Sequence, residues 1–308
     1  MSQDNNPKTN SNKTSPKVFI AVITAHIFWG FSFLAARKAL DVTNMFVLLS
    51  HRFIIATLAM SIVILFGFVK INLKGKRIHL LIALAILQPV IYFLGEQYGI
   101  QHSTTIFSGV MIALIPIFGT LAAALFLKEK PTLIQLAFSA LSVSGVIGIG
   151  LMSKSSGVLE LGGVIALIIA VSAAAGYLLI SRNVCEEFTA FERTYSMMAI
   201  SAIVFTACAF FSIKGDMSEF ISPMTDKTYL ISILFLSLCC SVASFGLDSY
   251  AISHLTVTKL SAFANLTTAV SVFAGVVFLH EPFSFLGFIF CIMILVGIYG
   301  VQKSGTDE

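Results

Sequence analysis

The chain has 308 residues, of which 57% are hydrophobic and only 11% charged, with a mean hydropathy of +0.95. A soluble protein of this length carries about 25% charged residues, so a water-soluble enzyme or large soluble domain is excluded. The net charge of +4 comes from scattered basic residues plus one short cluster, Lys70 to Arg77, which reads as a topology signal and not as a nucleic-acid surface.

In chain order, residues 1–17 are polar, carry Lys8, Lys13 and Lys17, and show no apolar pattern; they predict a disordered cytoplasmic tail. Ten apolar runs near the length of a bilayer crossing follow, at 18–37, 45–68, 78–99, 104–127, 132–152, 160–181, 189–212, 228–251, 257–279 and 282–302. The first is too long for a signal-peptide core and is read as a retained span. Residues 303–308 form a second short tail. The expected fold is an all-α integral membrane protein with ten transmembrane helices.

The membrane part occurs twice. Residues 98–148 lie on 250–300 at a constant offset of 152, and 12 of the 51 pairs are identical. The informative matches are Tyr98/Tyr250, His102/His254, Thr104/Thr256, Glu129/Glu281, Gly145/Gly297 and Gly148/Gly300. Upstream, Glu96 falls on Asp248. The early parts align at offset 145 through Ile23/Ile168, Leu34/Leu179, Arg37/Arg182 and Phe46/Phe191. A loop after the seventh span that is seven residues longer than its counterpart would account for the change of offset. The units are therefore 18–152 and 160–302. Five spans per unit is an odd number, so the second unit enters the bilayer upside down, giving two inverted five-helix repeats. Placing both termini inside puts twelve basic residues in or beside cytoplasmic segments against five outside, which favours N-in and C-in in a cell membrane.

The five cysteines form no CxxC pair and no Cys/His cluster, so no disulfide, metal or cofactor is expected. There is no GxxxxGK[ST] loop, no HExxH and no GxSxG, which argues against ATP hydrolysis by a P-loop and against an enzyme.

Four charges stand inside apolar runs, where charge is expensive and usually functional: Arg52, Glu96, Arg193 and Asp248. Each repeat offers an acid and an arginine at one depth. Arg52–Glu96 and Arg193–Asp248 are expected as pairs at the two mouths of a pathway, gating it or touching a zwitterionic substrate. Static pairing or snorkelling to headgroups is the alternative of equal weight. Polar stripes at helical spacing accompany them: His26, Trp29, Phe33 and Arg37; Gln88, Tyr92 and Glu96; Ser237, Ser241, Ser244 and Asp248; Ser261, Asn265 and Thr268. Trp29, Tyr92 and Tyr177 are candidates to stack on an aromatic or apolar substrate. For the small hydroxylated residues, ordinary helix packing is the stronger reading. Glu129 and Glu281 sit in tight turns and are expected to cap helix ends or brace loops.

Phe28-Trp29-Gly30-Phe31-Ser32-Phe33, then Arg37-Lys38 and His51-Arg52-Phe53, resembles the first two helices of the drug/metabolite transporter superfamily in its EamA-type branch. Pro116-Ile117-Phe118 leading to Leu127-Lys128-Glu129, with Leu279-His280-Glu281 in the second repeat, is similar to that family's fourth helix and Leu-x-Glu turn. The resemblance implies ten helices, inverted repeats, and secondary transport of a small metabolite, an amino acid or drug-like compound, with one five-helix half rocking against the other and export as the direction. A lipid flippase or passive channel of the same fold is the alternative. The implied partners are a small-molecule substrate and membrane lipid, with a homodimer left open. Two departures stand out. Thr268 replaces the counterpart of Pro116, which leaves a kink in the ninth span open, and lysine or histidine replaces the usual glycine of Leu-Gly-Glu, so the turns need not rely on glycine.

Overall fold

The computed structural model describes residues 16–122, 124–125, 131–155, 159–185, 187–252 and 257–304. Among them there is helix and no strand. Ten long helices follow one another: α1 (Pro16–Leu40), α2 (Met45–Leu65), α3 (Ile78–Gln101), α4 (Thr105–Ala122), α5 (Leu133–Ser155), α6 (Leu161–Cys185), α7 (Ala190–Ser212), α8 (Lys227–Asp248, continuing to Ile252), α9 (Val257–Phe278) and α10 (Phe285–Ser304). Eight of them, α1 to α8, are long and apolar enough to cross a membrane; the apolar stretches described in α9 and α10 are the shorter Leu266–Phe278 and Phe285–Val301. A bilayer leaves no water for backbone groups, and helices satisfy them internally.

The helix boundaries carry the offsets read in the sequence. Both ends of α6 lie 145 residues beyond those of α1, and α7 starts 145 beyond α2. Asn44 caps α2 and Thr189 caps α7, again 145 apart, each accepting a backbone N–H with its side-chain oxygen. From α4 and α5 to α9 and α10 the starting residues are 152 apart. The seven extra residues are not all in the loop. The connection 213–226 exceeds 66–77 by two residues; α7 runs two residues further than its counterpart and α8 starts three earlier. Extra turns of apolar helix are satisfied within the bilayer, whereas extra loop is not.

Packing follows the same exchange. α1 packs on α8 and α9, and α6 packs on α3 and α4, its counterparts in the other repeat; α2 packs on α7, and α5 on α10. The α5–α10 crossing is reciprocal. A Cβ on Gly145 would lie 2.7 Å from the Phe290 carbonyl oxygen and Ile294, and one on Gly297 would lie 2.7 Å from the Phe138 carbonyl oxygen and Ser142. Small residues let two backbones approach where lipid supplies no hydrophobic drive.

α4 and α9 differ where the sequence differs. α4 is interrupted by a turn at Ala113–Leu114, just before Pro116, whose ring cannot accommodate a continuous helix behind it. With Thr268 in that place, α9 runs unbroken from Val257 to Phe278.

Gly297→Val should force these backbones apart. Overpacking of this kind costs about 1–3 kcal/mol. A thermal melt of purified protein in detergent should show a clear fall in midpoint, while an unchanged midpoint would mean that the crossing is looser than its geometry.

Candidate functional site

The centre of the bundle is organised by two interrupted helices. In α3 the helical hydrogen-bond pattern widens over Ile86–Ile91, and Gln88 takes an extended backbone (φ −142°, ψ 114°) before Pro89. In α8 the pattern widens over Phe235–Ala243. Shifted by 152, the first segment falls inside the second. Such wide turns frequently mark functional sites, because they release backbone groups and re-aim side chains.

Both breaks feed one polar cluster. Trp29 of α1 donates its indole N–H to the Cys240 carbonyl at 3.0 Å, and the Cys240 thiol approaches the Phe28 carbonyl at 3.3 Å. On the next residue of α8, Ser241 Oγ accepts from Arg52 Nε at 2.9 Å. Arg52 is 1% exposed, and its guanidinium lies 4.2 Å from the centre of the Phe93 ring. Glu96, one turn beyond Tyr92, accepts from the Tyr92 hydroxyl at 2.8 Å through one oxygen and from the Gln97 side-chain amide at 3.1 Å through the other.

The expected Arg52–Glu96 ion pair is not formed. Among the described residues no contact within 4.0 Å joins them, although Glu96 attracts Arg52 through space. The reason is geometric: Arg52 reaches across to α8, while Glu96 is held by its own helix. In the other repeat Asp248 is half-buried and Arg193 buried, and each lies within electrostatic range of the other.

The polar stripes divide. His26 bonds to Thr267 of α9 at 2.8 Å and stands edge-on to Trp29. Ser244 donates to the Cys239 carbonyl at 2.8 Å and Ser237 to the Ile233 carbonyl, so both hydroxyls serve their own helix instead of lining a path. Gln88 is half-buried at the break in α3, and Tyr177 packs against the core from α6. The side chain of Asn265, and Glu129 entirely, lie outside the described residues.

Glu281 has a definite place. From the turn between α9 and α10 it accepts from the backbone N–H of Thr105 at 2.6 Å and of Ile106 at 2.9 Å, at the first turn of α4. A carboxylate there meets donors that have no helical partner and the positive end of the helix. Its neighbour His280 has φ of 53°. The turn places its middle residue in the left-handed region that favours glycine, and histidine occupies it under strain, so the turn forms without glycine as expected but at a cost.

Two groups escaped the sequence reading. Glu192, 2% exposed, accepts from Thr189 N–H, Asn72 N–H and the Lys76 ammonium at 2.7 Å, tying the α2–α3 connection to the start of α7. Beside it Arg77 clasps Glu187, and that hydrogen-bonded contact holds the Glu187 carboxyl below its ordinary pKa. The Thr189-x-x-Glu192 spacing of a capping box was the signal that could have marked Glu192. Arg37 also binds backbone, donating to the Ile100 carbonyl at 2.6 Å, and so fixes the end of α1 to the end of α3.

Two interrupted helices facing a buried arginine and glutamate form the kind of centre that membrane carriers use, and comparison with known proteins agrees. The EamA-like transporter family profile matches residues 16–151 and again 161–302. The chain belongs to the EamA-like transporter family. It is 32% identical over 288 residues to the uncharacterized transporter YcxC of Bacillus subtilis (strain 168), covering 92% of this chain and 91% of that one. It is 23% identical over 290 residues to an uncharacterized transporter of Archaeoglobus fulgidus, covering 93% and 99%. A protein crystal structure shares the fold with a TM-score of 0.66 at 14% identity, over 96% of this chain and 98% of that one. This EamA-family chain is thus a multi-pass membrane transporter, as the family and the names of its relatives indicate.

Two substitutions test the α9–α10 turn. Glu281→Ala leaves two N–H donors of α4 unpaired and should cost about 1–3 kcal/mol in a detergent melt. His280→Gly removes a left-handed residue with a side chain and should raise the melting midpoint, by an amount on the order of 1 kcal/mol; a lower midpoint would show that the imidazole earns its place by contacts.

Proposed function

We propose that this chain is a secondary transporter that exports a small metabolite, an amino acid or drug-like compound, across the cell membrane by alternating access. It crosses the bilayer ten times as two inverted repeats, with both termini inside. The observation that carries this reading is the pair of interrupted helices, α3 and α8, at equivalent places in the two repeats, with Arg52 and Glu96 buried between them. A buried charge beside broken helices serves packing poorly and serves a solute well.

The moving bodies follow from which helices pack together. Because α1 packs on α8 and α9 while α6 packs on α3 and α4, the rocking units mix the repeats instead of coinciding with the five-helix halves. Arg52, on α2, then reaches α8, and Glu96, on α3, belongs to the opposite unit. Relative motion changes the distance between these charges, which is what a solute-sensitive equilibrium requires. In the proposed orientation the Lys76–Glu192 and Arg77–Glu187 contacts lie on the cytoplasmic side, and the Glu281 cap lies on the outer side.

Counterflow in proteoliposomes tests this directly. Vesicles loaded with unlabelled amino acids and small metabolites should accumulate labelled solute of one class, saturably and with trans-stimulation. Glu96→Gln and Asp248→Asn should each insert normally yet lower exchange by about tenfold or more. Non-saturable flux would indicate a channel, activity on labelled lipids alone a flippase, and full exchange in both variants would remove these acids from the mechanism.

A further inference from the structure

The charged centre is not symmetric in what it leaves unsatisfied. Both oxygens of Glu96 already accept, from Tyr92 and Gln97. Arg52 is different. A guanidinium has five N–H donors in a rigid fork, and among the described residues Arg52 makes one hydrogen bond, through Nε to Ser241. Its guanidinium carbon lies 4.2 Å from the centre of the Phe93 ring, an electrostatic contact that satisfies no N–H. A buried guanidinium held by one bond and a ring face costs several kcal/mol of lost hydration, which a second anion would offset. Glu96, within electrostatic range but engaged elsewhere, compensates the charge without filling the fork.

The surroundings define the rest of such a ligand. Phe93 stacks edge-on with Phe53 and Tyr92, and Phe53 lies against Phe205. Trp29 lies edge-on to Phe245 and reaches the residue of α8 adjacent to the one that holds Arg52. The fork is thus set in an aromatic wall, and the carboxylate described nearest to it, Glu96, already accepts one hydrogen bond through each oxygen.

Resting on the transport reading above, we propose that Arg52 is the anchor for a carboxylate, and that the solute is recognised as an organic anion with an apolar or aromatic body, its amino group being dispensable. Arg52 donates two parallel N–H bonds to the carboxylate through the fork edge not used by Ser241, while the body lies along Phe93 and Trp29. Glu96 sets the local charge while its oxygens are engaged by Tyr92 and Gln97, so recognition rests on the carboxylate of the solute. A zwitterion and its deaminated analogue therefore bind alike, whereas the decarboxylated amine does not bind.

Trp29 is the chain's single tryptophan, so its fluorescence reports on this site without transport. The full-length protein in nanodiscs is titrated with phenylalanine, 3-phenylpropionate, 4-methylpentanoate and phenethylamine. The three carboxylates should give a saturable change, with the zwitterion and 3-phenylpropionate close in affinity, and phenethylamine should give none. Arg52→Lys, which keeps the charge but loses the fork, should weaken carboxylate binding by about tenfold or more at an unchanged melting temperature. If that variant melts early, Phe93→Leu, which removes the aromatic face under the guanidinium, gives the second test and should weaken the phenyl compounds more than 4-methylpentanoate. Equal binding of phenethylamine, no response to any carboxylate, or carboxylate affinity untouched by both substitutions overturns the proposal. Exchange of solutes without carboxylate dependence would sink the anchor and leave the transporter standing; saturable carboxylate binding without exchange would do the reverse.

Discussion

A carbonyl released inside a membrane must find a donor, and this fold is arranged around meeting that demand. The wide turn in α8 offers the Cys240 carbonyl to the indole N–H of Trp29, while Ser241 and Ser244 return their hydroxyls to carbonyls of the same turn. Hydrocarbon supplies no water to take the place of these partners. The break is therefore sustained by α1, and α1 cannot move independently of α8. The same contact sets Trp29 beside the functional centre and commits Ser241 to a position where Arg52 reaches it. Local backbone accounting thus places the chemistry.

The corresponding α2–α3 and α7–α8 connections are held by different physics. In the first, Glu192 gathers Lys76, the Asn72 N–H and the Thr189 N–H, with Arg77 and Glu187 beside it. In the other, the connection following α7 presents Phe220 against His51 and Phe210, beside the buried Val47, Ala209 and Ile213, and His51 bonds to Tyr229. One closure is charged and sensitive to salt and acid; the other is largely apolar. The backbones differ here as well: the 213–226 connection is two residues longer than 66–77 and carries a short helix, Met217–Ile221. On the proposed alternating-access reading, a cycle between two such closures would have unequal end states, and the bias between them would set the resting conformation.

The fold was legible because its determinants are local or repetitive. Span length and the 145 and 152 offsets are read from apolar runs and spacing, and the helix bounds carry them. The functional centre was legible in its members but not in their partners. Arg52 and Glu96 are evident as charges in apolar runs, yet spacing cannot show that Arg52 turns toward Ser241, 189 residues away, while Glu96 is held by Tyr92 one turn before it. The strain at His280 was hidden for another reason. Nothing in the residue type announces a left-handed backbone, and only the turn's geometry imposes it. Glu192 carried a readable capping signature, but its further ties to Asn72 and Lys76 depend on how loops far apart in sequence are brought together.

Duplication also limits what the centre can be. The backbone around the dyad is shared, as the reciprocal contacts of Gly145 and Gly297 show, so a symmetric pair of charges would give two equivalent sites. The chain breaks that symmetry at one position. Arg52 corresponds to Met197, and the second repeat carries its arginine one turn earlier, at Arg193. Met197 is 1% exposed and fills the equivalent place with apolar bulk. Arg52 thus stands at a position whose counterpart in the other repeat is apolar, while the second buried arginine is displaced by one turn. On the proposed transport reading, inverted repeats would supply the two closures that alternation needs, and Arg52, unmatched in the other repeat, would give both conformations the same solute to hold.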